Sequence, residues 1–200
     1  MTPTRTCLLS ALLLVGCRSF GPAQPATLAR LLPMAEAAHI PPRFAVELTS
    51  PALTGEFDAV FAAGDRGFAL QLFPDLGGKV LDLRVGAASV DCETPAGSYH
   101  AAPPLDAARP HLALVFAAVL AELLAPIDGA RVRGERVDAD GRTEVDLAPA
   151  LGSGRVVATL GADGRIVAYR FELGWLAFRY EAGGQLRSSR FTGRFAFAGG

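Results

Sequence analysis

Apolar residues occur at every second position in short segments from Phe44 onward, and this alternation is the strongest constraint on the fold. Because successive side chains of a β-strand point to opposite faces, a period of two predicts half-buried strands. Turn-forming residues separate the segments, as at Gly64-Asp65-Arg66-Gly67 and Asp140-Gly141, which predicts about ten short strands joined by tight hairpins. At Gly174 the alternation changes parity, which predicts a bend or bulge. The main alternating sets are Phe44, Val46 and Leu48; Phe57, Ala59 and Phe61; Phe68, Leu70 and Leu72; Leu81, Leu83 and Val85; Val145 and Leu147; Val156, Ala158 and Leu160; Val167, Tyr169, Phe171 and Leu173; and Leu176, Phe178 and Tyr180.

A segment from about residue 106 to residue 125 interrupts the alternation. From Pro110 to Ala125 it contains no turn residue and is rich in leucine and alanine, and Pro126 follows, which predicts a helix. Apolar residues occupy nearly its whole circumference, so this helix has to be covered on two sides. At 1.5 Å per residue it spans about 23 Å, less than the hydrocarbon core of a bilayer. A weaker helical pattern from Leu28 to Ala38 is interrupted by Pro33.

These patterns predict a mainly β fold with helices, of the α+β class, in one domain over residues 44–200. An antiparallel sheet with one apolar face has to cover that face. The economical arrangement is a curved antiparallel half-barrel with the helix of residues 106–125 as a lid over an apolar cavity. The alternation leaves open whether this interior is hollow or fully packed.

The first seventeen residues show the pattern of an export signal. Arg5 precedes the apolar run Cys7–Val15, which is too short to span a membrane. The run closes with Leu14-Val15-Gly16-Cys17, which resembles the lipobox of bacterial lipoproteins. The resemblance implies that residues 1–16 are removed and that Cys17 is lipidated, so that acyl chains hold the protein on a membrane. An ordinary signal peptide and a buried strand are the alternatives.

Residues 17–43 are interpreted as the lipidated cysteine, a tether over residues 18–27 and a short helix. Arg18 and Ser19 follow Cys17, with no aspartate there. In enteric bacteria the absence of aspartate at this place indicates the outer membrane, with the protein facing the periplasm.

Composition excludes some classes of function. Half of the residues are hydrophobic, one-fifth are charged and the net charge is -1, as in a folded domain without a basic patch for nucleic acid. The three histidines, His39, His100 and His111, have no second histidine or cysteine at metal-ligand spacing. We therefore expect no metal, no cofactor and no nucleic-acid partner.

Catalysis is not expected from the remaining polar residues. Cys92 shares strand parity with Val90, which favours a buried thiol over a nucleophile. A polar cluster at Asp91, Glu93, Ser98 and His100 contains the residue types of a Ser-His-Asp set, but only tertiary geometry can assemble one. A polar loop is the alternative, and we predict that the protein is not an enzyme.

The segment Phe68–Val85, the strand from Ala88 to Cys92 and the helix after Pro110 together resemble the central region of LolB, the outer-membrane receptor for lipoproteins. The resemblance covers roughly residues 44–130. It implies a half-open antiparallel barrel with a helical lid and an apolar cavity that shelters acyl chains. It also implies that Leu76 is the exposed loop leucine that inserts cargo into the membrane, although Asp75 stands where the family has proline. A half-buried turn residue is the alternative for Leu76.

The function that we expect is that of an outer-membrane lipoprotein that binds the acyl chains of lipoproteins or lipids and helps to insert them into the outer membrane. A periplasmic LolA-like carrier is a further expected partner. The alternative is a structural lipoprotein subunit of an outer-membrane assembly machine, without a cargo cavity. The residues expected to line the acyl-chain cavity are Leu70, Leu72, Leu81, Leu83, Phe116, Leu120, Phe171 and Phe191.

Overall fold

The structure, a computed structural model, describes residues 19–87, 89–102, 112–174 and 176–197. The predicted signal sequence, Cys17 and the start of the predicted 106–125 helix lie outside the described residues. The helices in these ranges are α1 (Pro25–Arg30), a 3-10 helix (Ala35–Ala38) and α2 (Leu112–Leu124). The strands are β1 (Arg43–Thr49), β2 (Thr54–Gly64), β3 (Gly67–Phe73), β4 (Leu81–Gly86), β5 (Val90–Thr94), β6 (Gly97–Ala101), β7 (Val132–Val137), β8 (Thr143–Leu147), β9 (Arg155–Leu160), β10 (Ile166–Leu173), β11 (Leu176–Glu181), β12 (Gln185–Arg187) and β13 (Thr192–Ala196).

The thirteen strands of the described residues, where about ten were predicted, form one antiparallel sheet that is open and curved. Its order is β6-β5-β4-β3-β2-β1-β13-β12-β11-β10-β9-β8-β7. Every pairing joins strands that are neighbours in sequence, except that of β1 with β13. The two edge strands are therefore β6 and β7, and the chain between them contains α2.

The apolar alternation builds the concave face of the sheet. In β1, burial alternates residue by residue, with Phe44, Val46 and Leu48 inside. Strands β2 and β3 repeat this pattern, and most of the predicted inner residues belong to a single hydrophobic cluster. Sequence periodicity therefore identifies the buried face correctly over most of the sheet.

Two predictions about β10 and β11 are wrong. Val167 is only half-buried, because the pairing of β10 with β9 shifts register between Ile166 and Ala168 and forms a bulge there. At Gly174 the chain does not bend within one strand. It makes a hairpin turn, in which Gly174 has φ +62° and Leu173 pairs with Leu176.

The outer face of the sheet buries acidic residues that the alternation assigns to solvent. Glu144 accepts a 2.7 Å hydrogen bond from Arg136 Nε, and Asp146 accepts one of 2.9 Å from Arg155. Both carboxylates are at most 9% exposed, since long arginine side chains cover them.

The N-terminal segment is docked rather than free, so the predicted tether over residues 18–27 is wrong. Gly21 pairs with Glu135 at the outer edge of β7, and α1 begins at Pro25. The predicted interruption of the Leu28–Ala38 helical pattern at Pro33 is confirmed, because α1 ends at Arg30 and a separate 3-10 helix spans Ala35–Ala38. Pro33 disfavours helical backbone in the residue before it, and Leu31, directly after α1, is already extended.

Strand connections lie at two opposite ends of the sheet, because neighbouring strands run in opposite directions. The Leu76 end contains the connection between β3 and β4, with Asp75 and Lys79, and residues 188–191, with Arg190. Residues 50–53, 95–96 and 148–154 at the same end include no charged residue. The Gly164 end contains residues 65–66, 138–142 and 161–165, each with both an acidic and a basic residue. The connections of the Gly164 end therefore contain more charged residues than those of the Leu76 end.

Candidate functional site

The concave face of the sheet brings together all eight side chains predicted to line an acyl-chain cavity. Four lie on β3 and β4, two on α2, one on β10 and one just before β13, and all belong to one hydrophobic cluster. They are Leu70, Leu72, Leu81, Leu83, Phe116, Leu120, Phe171 and Phe191. Their clustering is observed, whereas their role as a cavity lining stays a prediction.

The interior is closed at this site. Five of the eight side chains have an exposed fraction of 0%, including Leu70, Phe116 and Leu120, and that of Phe191 is 8%. An open space for a hydrocarbon tail would leave part of these side chains accessible to water. Binding of an acyl chain at this site therefore requires a packed element to move.

Helix α2 lies against the concave face and is covered on nearly all sides. It contacts β4, β5 and the 3-10 helix, and the rings of Phe116 and Phe195 are 5.5 Å apart. Ten of its residues are buried, as its apolar circumference predicts. None of the helices in the described ranges is long and apolar enough to cross a membrane.

One charged residue, Glu122, lies inside α2 and is 1% exposed. It forms an ion pair with Arg131, and its second oxygen accepts a 3.0 Å hydrogen bond from the Ala150 amide. Arg131 also donates to the carbonyls of Ala148, at 2.9 Å, and Pro126, at 3.2 Å. Burial raises the pKa of Glu122, although Arg131 acts in the opposite direction. This pair joins the end of α2 to the segments that flank β7 and β8.

Two tyrosines of the concave face have buried hydroxyl groups. Tyr169 and Tyr180 are paired across β10 and β11 and are at most 1% exposed. Among the described residues neither hydroxyl has a hydrogen-bond partner. Burial raises the pKa of both phenols. The concave face thus contains two buried hydroxyl groups, and the charges of Glu122, Arg131 and Glu36 also act on the pKa of Tyr169.

Leu76 lies at the tip of the β3–β4 connection and is 94% exposed, so it is not the half-buried turn residue of the alternative interpretation. At the base of the loop, the Val80 amide donates to the Leu72 carbonyl at 2.9 Å, and Lys79 forms an ion pair with buried Asp82. Burial acts to raise the pKa of Asp82, but the Lys79 hydrogen bond and the neighbouring positive charges outweigh it and lower this pKa. The loop is therefore held at its base with an apolar side chain at its tip.

The polar cluster of the sequence lies on the exposed face of β5 and β6. Asp91 accepts hydrogen bonds from Ser89 at 2.7 Å and is 2.5 Å from His100 Nδ1, and these contacts lower its pKa. Because serine and histidine both contact the carboxylate, the arrangement differs from a nucleophile–base pair. Ser98 lies opposite Glu93 in the pairing of β5 with β6. In the described ranges no three potential metal ligands come together. The predicted lack of catalysis and of a metal stays a prediction.

Cys92 is buried in β5, as its strand parity predicts. Burial raises the pKa of its thiol to about 12, which suppresses the reactive thiolate.

Sequence reasoning missed the Glu122–Arg131 pair and the contact of Phe20 with the sheet. A single acidic residue in an apolar helix was the available signal for the first. A single aromatic residue in a segment rich in proline, glycine and alanine was the signal for the second.

The comparisons with known proteins leave the family open. No family model matches the sequence, and no curated protein matches it. Among solved structures, the chain is similar to the crystal structure of a LolA superfamily protein from Nitrosomonas europaea, with 9% sequence identity and a TM-score of 0.48. The similarity covers 90% of this chain and 93% of that chain. The expected relationship to LolB stays a prediction.

Proposed function

We propose that this chain is an outer-membrane lipoprotein, anchored at Cys17, that takes up acyl chains of lipoproteins or lipids beneath α2 and helps to insert them into that membrane. The observation that carries the proposal is an apolar helix, buried on nearly all sides, laid on the concave face of an open sheet. A periplasmic LolA-like carrier is the proposed donor of the cargo.

Uptake requires α2 to act as a lid, because the interior is closed around it. A chain of about fourteen methylenes gains on the order of 11 kcal/mol by leaving water. Exposing six of the apolar side chains under α2 costs on the order of 10–15 kcal/mol. The two energies are similar, so binding is reversible, and a bilayer that offers an equally apolar site can take the chain.

The Leu76 end is the proposed membrane-facing end. Leu76 is almost fully exposed, and several neighbouring connections, such as residues 50–53 and 95–96, have no charge that would resist entry into the interface. The Leu76 loop itself contains Asp75 and Lys79, whereas at the opposite end residues 65–66, 138–142 and 161–165 each contain both an acidic and a basic residue.

The first experiment measures transfer of a pyrene-labelled palmitoyl peptide from the purified protein to phospholipid vesicles. We expect Leu76→Glu to slow transfer without loss of bound peptide. The matched control is Leu32→Glu, because Leu32 is 44% exposed and bonds to Gly164 at the opposite end. Equal transfer by both variants would refute the role of Leu76. Absence of bound acyl chains in native mass spectra, together with unchanged hydrogen exchange in α2 on addition of the peptide, would refute acyl binding.

A structural subunit of an outer-membrane assembly machine is the second candidate, and the closed interior favours it. Such a protein keeps α2 in place, so its function depends on surface residues. If the protein still functions in outer-membrane assembly after α2 is cross-linked to the sheet, the result supports the structural subunit and contradicts the carrier.

A further inference from the structure

The segment at Phe20 and Gly21, here called the N-terminal clip, is bound to edge strand β7. The Gly21 amide donates to the Glu135 carbonyl at 2.9 Å, and the Glu135 amide donates to the Gly21 carbonyl at 2.8 Å. This reciprocal pair is the hydrogen-bond pattern of an antiparallel sheet. The clip therefore continues the sheet by one residue pair beyond β7.

The ring of Phe20 contacts two arginines that other residues already hold in place. The guanidinium carbons of Arg136 and Arg155 are 4.5 Å and 4.2 Å from the ring centroid, within the range of cation–π contacts. Arg136 is paired with Glu144 and Arg155 with Asp146. Because these ion pairs orient the guanidinium groups, the ring binds to a preformed surface.

Gly134 makes room for the clip. A Cβ atom at this position would lie 2.6 Å from the Gly21 carbonyl oxygen and 3.3 Å from Phe20 Cβ. Unlike the turn glycines, Gly134 has no positive φ, and the three atoms nearest to such a Cβ all belong to the clip. Substitution of Gly134 consequently tests the clip without straining the backbone.

We propose that the clip sets the orientation of the domain on a lipid surface, by holding the β7 edge next to the bilayer. The inference rests on the proposed lipidation of Cys17. From Cys17 to Phe20 there are three residue steps, which span about 11 Å at full extension. Without the clip, the next backbone hydrogen bond to the domain joins the Leu32 amide to the Gly164 carbonyl. With α1 intact, the fifteen steps from Cys17 to Leu32 span up to about 40 Å.

The short connection from Cys17 to Phe20 allows the Leu76 end of the sheet to contact the bilayer that holds the anchor. β7 begins at Val132 at that end, and the three steps from there to Glu135 cover about 10 Å. The connection from Cys17 is thus long enough to reach this end of the sheet. The connection limits the distance between domain and bilayer, and exposed Leu76, with the uncharged connections 50–53, 95–96 and 148–154 beside it, selects which end faces the bilayer.

The test uses the lipidated full-length product in vesicles of phosphatidylethanolamine and phosphatidylglycerol, in a Cys92→Ala background. A donor dye is attached at Arg133→Cys on β7 or at Ser98→Cys on β6, and the acceptor is a rhodamine-labelled lipid headgroup. We expect stronger energy transfer from the β7 dye, and loss of that difference in Phe20→Ala and in Gly134→Ala. Gly129→Ala is the matched control, because a Cβ at that exposed glycine has no neighbour within 4 Å. If Gly134→Ala leaves the energy transfer from the β7 dye unchanged, the proposal is overturned.

A second measurement separates failure of the clip from failure of the anchor. Spin labels at Ser19→Cys and Arg142→Cys, in the lipidated protein in detergent, should give a narrow distance distribution that Gly134→Ala broadens. A broad distribution in the otherwise unsubstituted protein overturns the clip. If the distribution is narrow but the mass of the purified protein shows no acyl groups at Cys17, the proposed anchor fails and the orientation fails with it.

Discussion

Breaking the buried pair of Glu122 and Arg131 should lower the free energy of unfolding more than replacing both residues does. Arg131→Met leaves a carboxylate inside an apolar helix, with the Ala150 amide as a remaining partner, and should lower the free energy of unfolding by about 3–5 kcal/mol. Glu122→Leu leaves Arg131 its carbonyl partners, and should cost about 1–3 kcal/mol. The double variant should lie within about 2 kcal/mol of the unsubstituted protein or be more stable, because no charge is left unpaired.

The effect of Arg131→Met should also depend on pH. Burial raises the pKa of Glu122 above its ordinary value of 4.5, so the folded state binds this proton more tightly than the unfolded state. The contribution of Glu122 to stability is therefore greatest below pH 4.5 and is lost as pH rises through the raised pKa. Removal of Arg131 raises this pKa further, and the destabilisation should shrink when the pH is lowered from about 7.5 to about 5.

Urea unfolding at the two pH values, followed by circular dichroism, measures these differences. The matched control is Arg179→Met, which breaks the half-exposed pair of Arg179 with Glu181 and should cost less than about 1 kcal/mol at either pH. If Arg131→Met costs no more than the control and shows the same pH dependence, the ion pair does not stabilise the position of α2.

Three further predictions concern single side chains. Gly184→Ala should lower the free energy of unfolding by about 3 kcal/mol or more, because a Cβ there lies 1.9 Å from the Phe195 carbonyl oxygen. Gly183→Ala, with a similar φ but open space, should lower it by about 1 kcal/mol. Equal unfolding midpoints for the two variants would contradict this reasoning. Tyr180→Phe should change stability by less than about 1 kcal/mol or increase it, because the hydroxyl has no partner among the described residues; a larger loss would indicate a bridging water. Cys92 should react with iodoacetamide near pH 8 only in urea, and rapid modification of the folded protein, monitored by mass, would contradict the raised pKa of its thiol.

The sheet was largely predictable, because one apolar face imposes a period of two on each strand. Burial of Phe44, Val46 and Leu48 follows directly from that rule. The bulge beside Val167 was not predictable from the pattern, since a register shift depends on the partner strand, which the local sequence does not specify. Likewise, Glu144 and Asp146 look like solvent-facing residues until the register places arginines over them.

The residues of the candidate site were predictable, but whether they enclose a hollow was not. The eight apolar residues come together because each lies on an inner strand face or on α2. A hollow forms only if α2 stays far enough from the sheet, and that distance cannot be derived from helix propensity or from the alternation. Leu76 was predicted only from resemblance, and its exposure comes from a loop fixed at its base by Lys79 and Asp82.

The pairing of β1 with β13 has a consequence for how this protein folds. Strands β1–β6 and β7–β13 are each chains of local hairpins, which form quickly. Within the sheet the two halves join only through the pairing of β1 with β13, as at Val46 and Phe195, across nearly the whole length of the domain. Until the last strand has emerged, the apolar faces of both halves are open to water and to other chains. A truncation that removes β13 should therefore leave two unjoined meanders prone to aggregation, and refolding should be limited by the search of the two chain ends for each other.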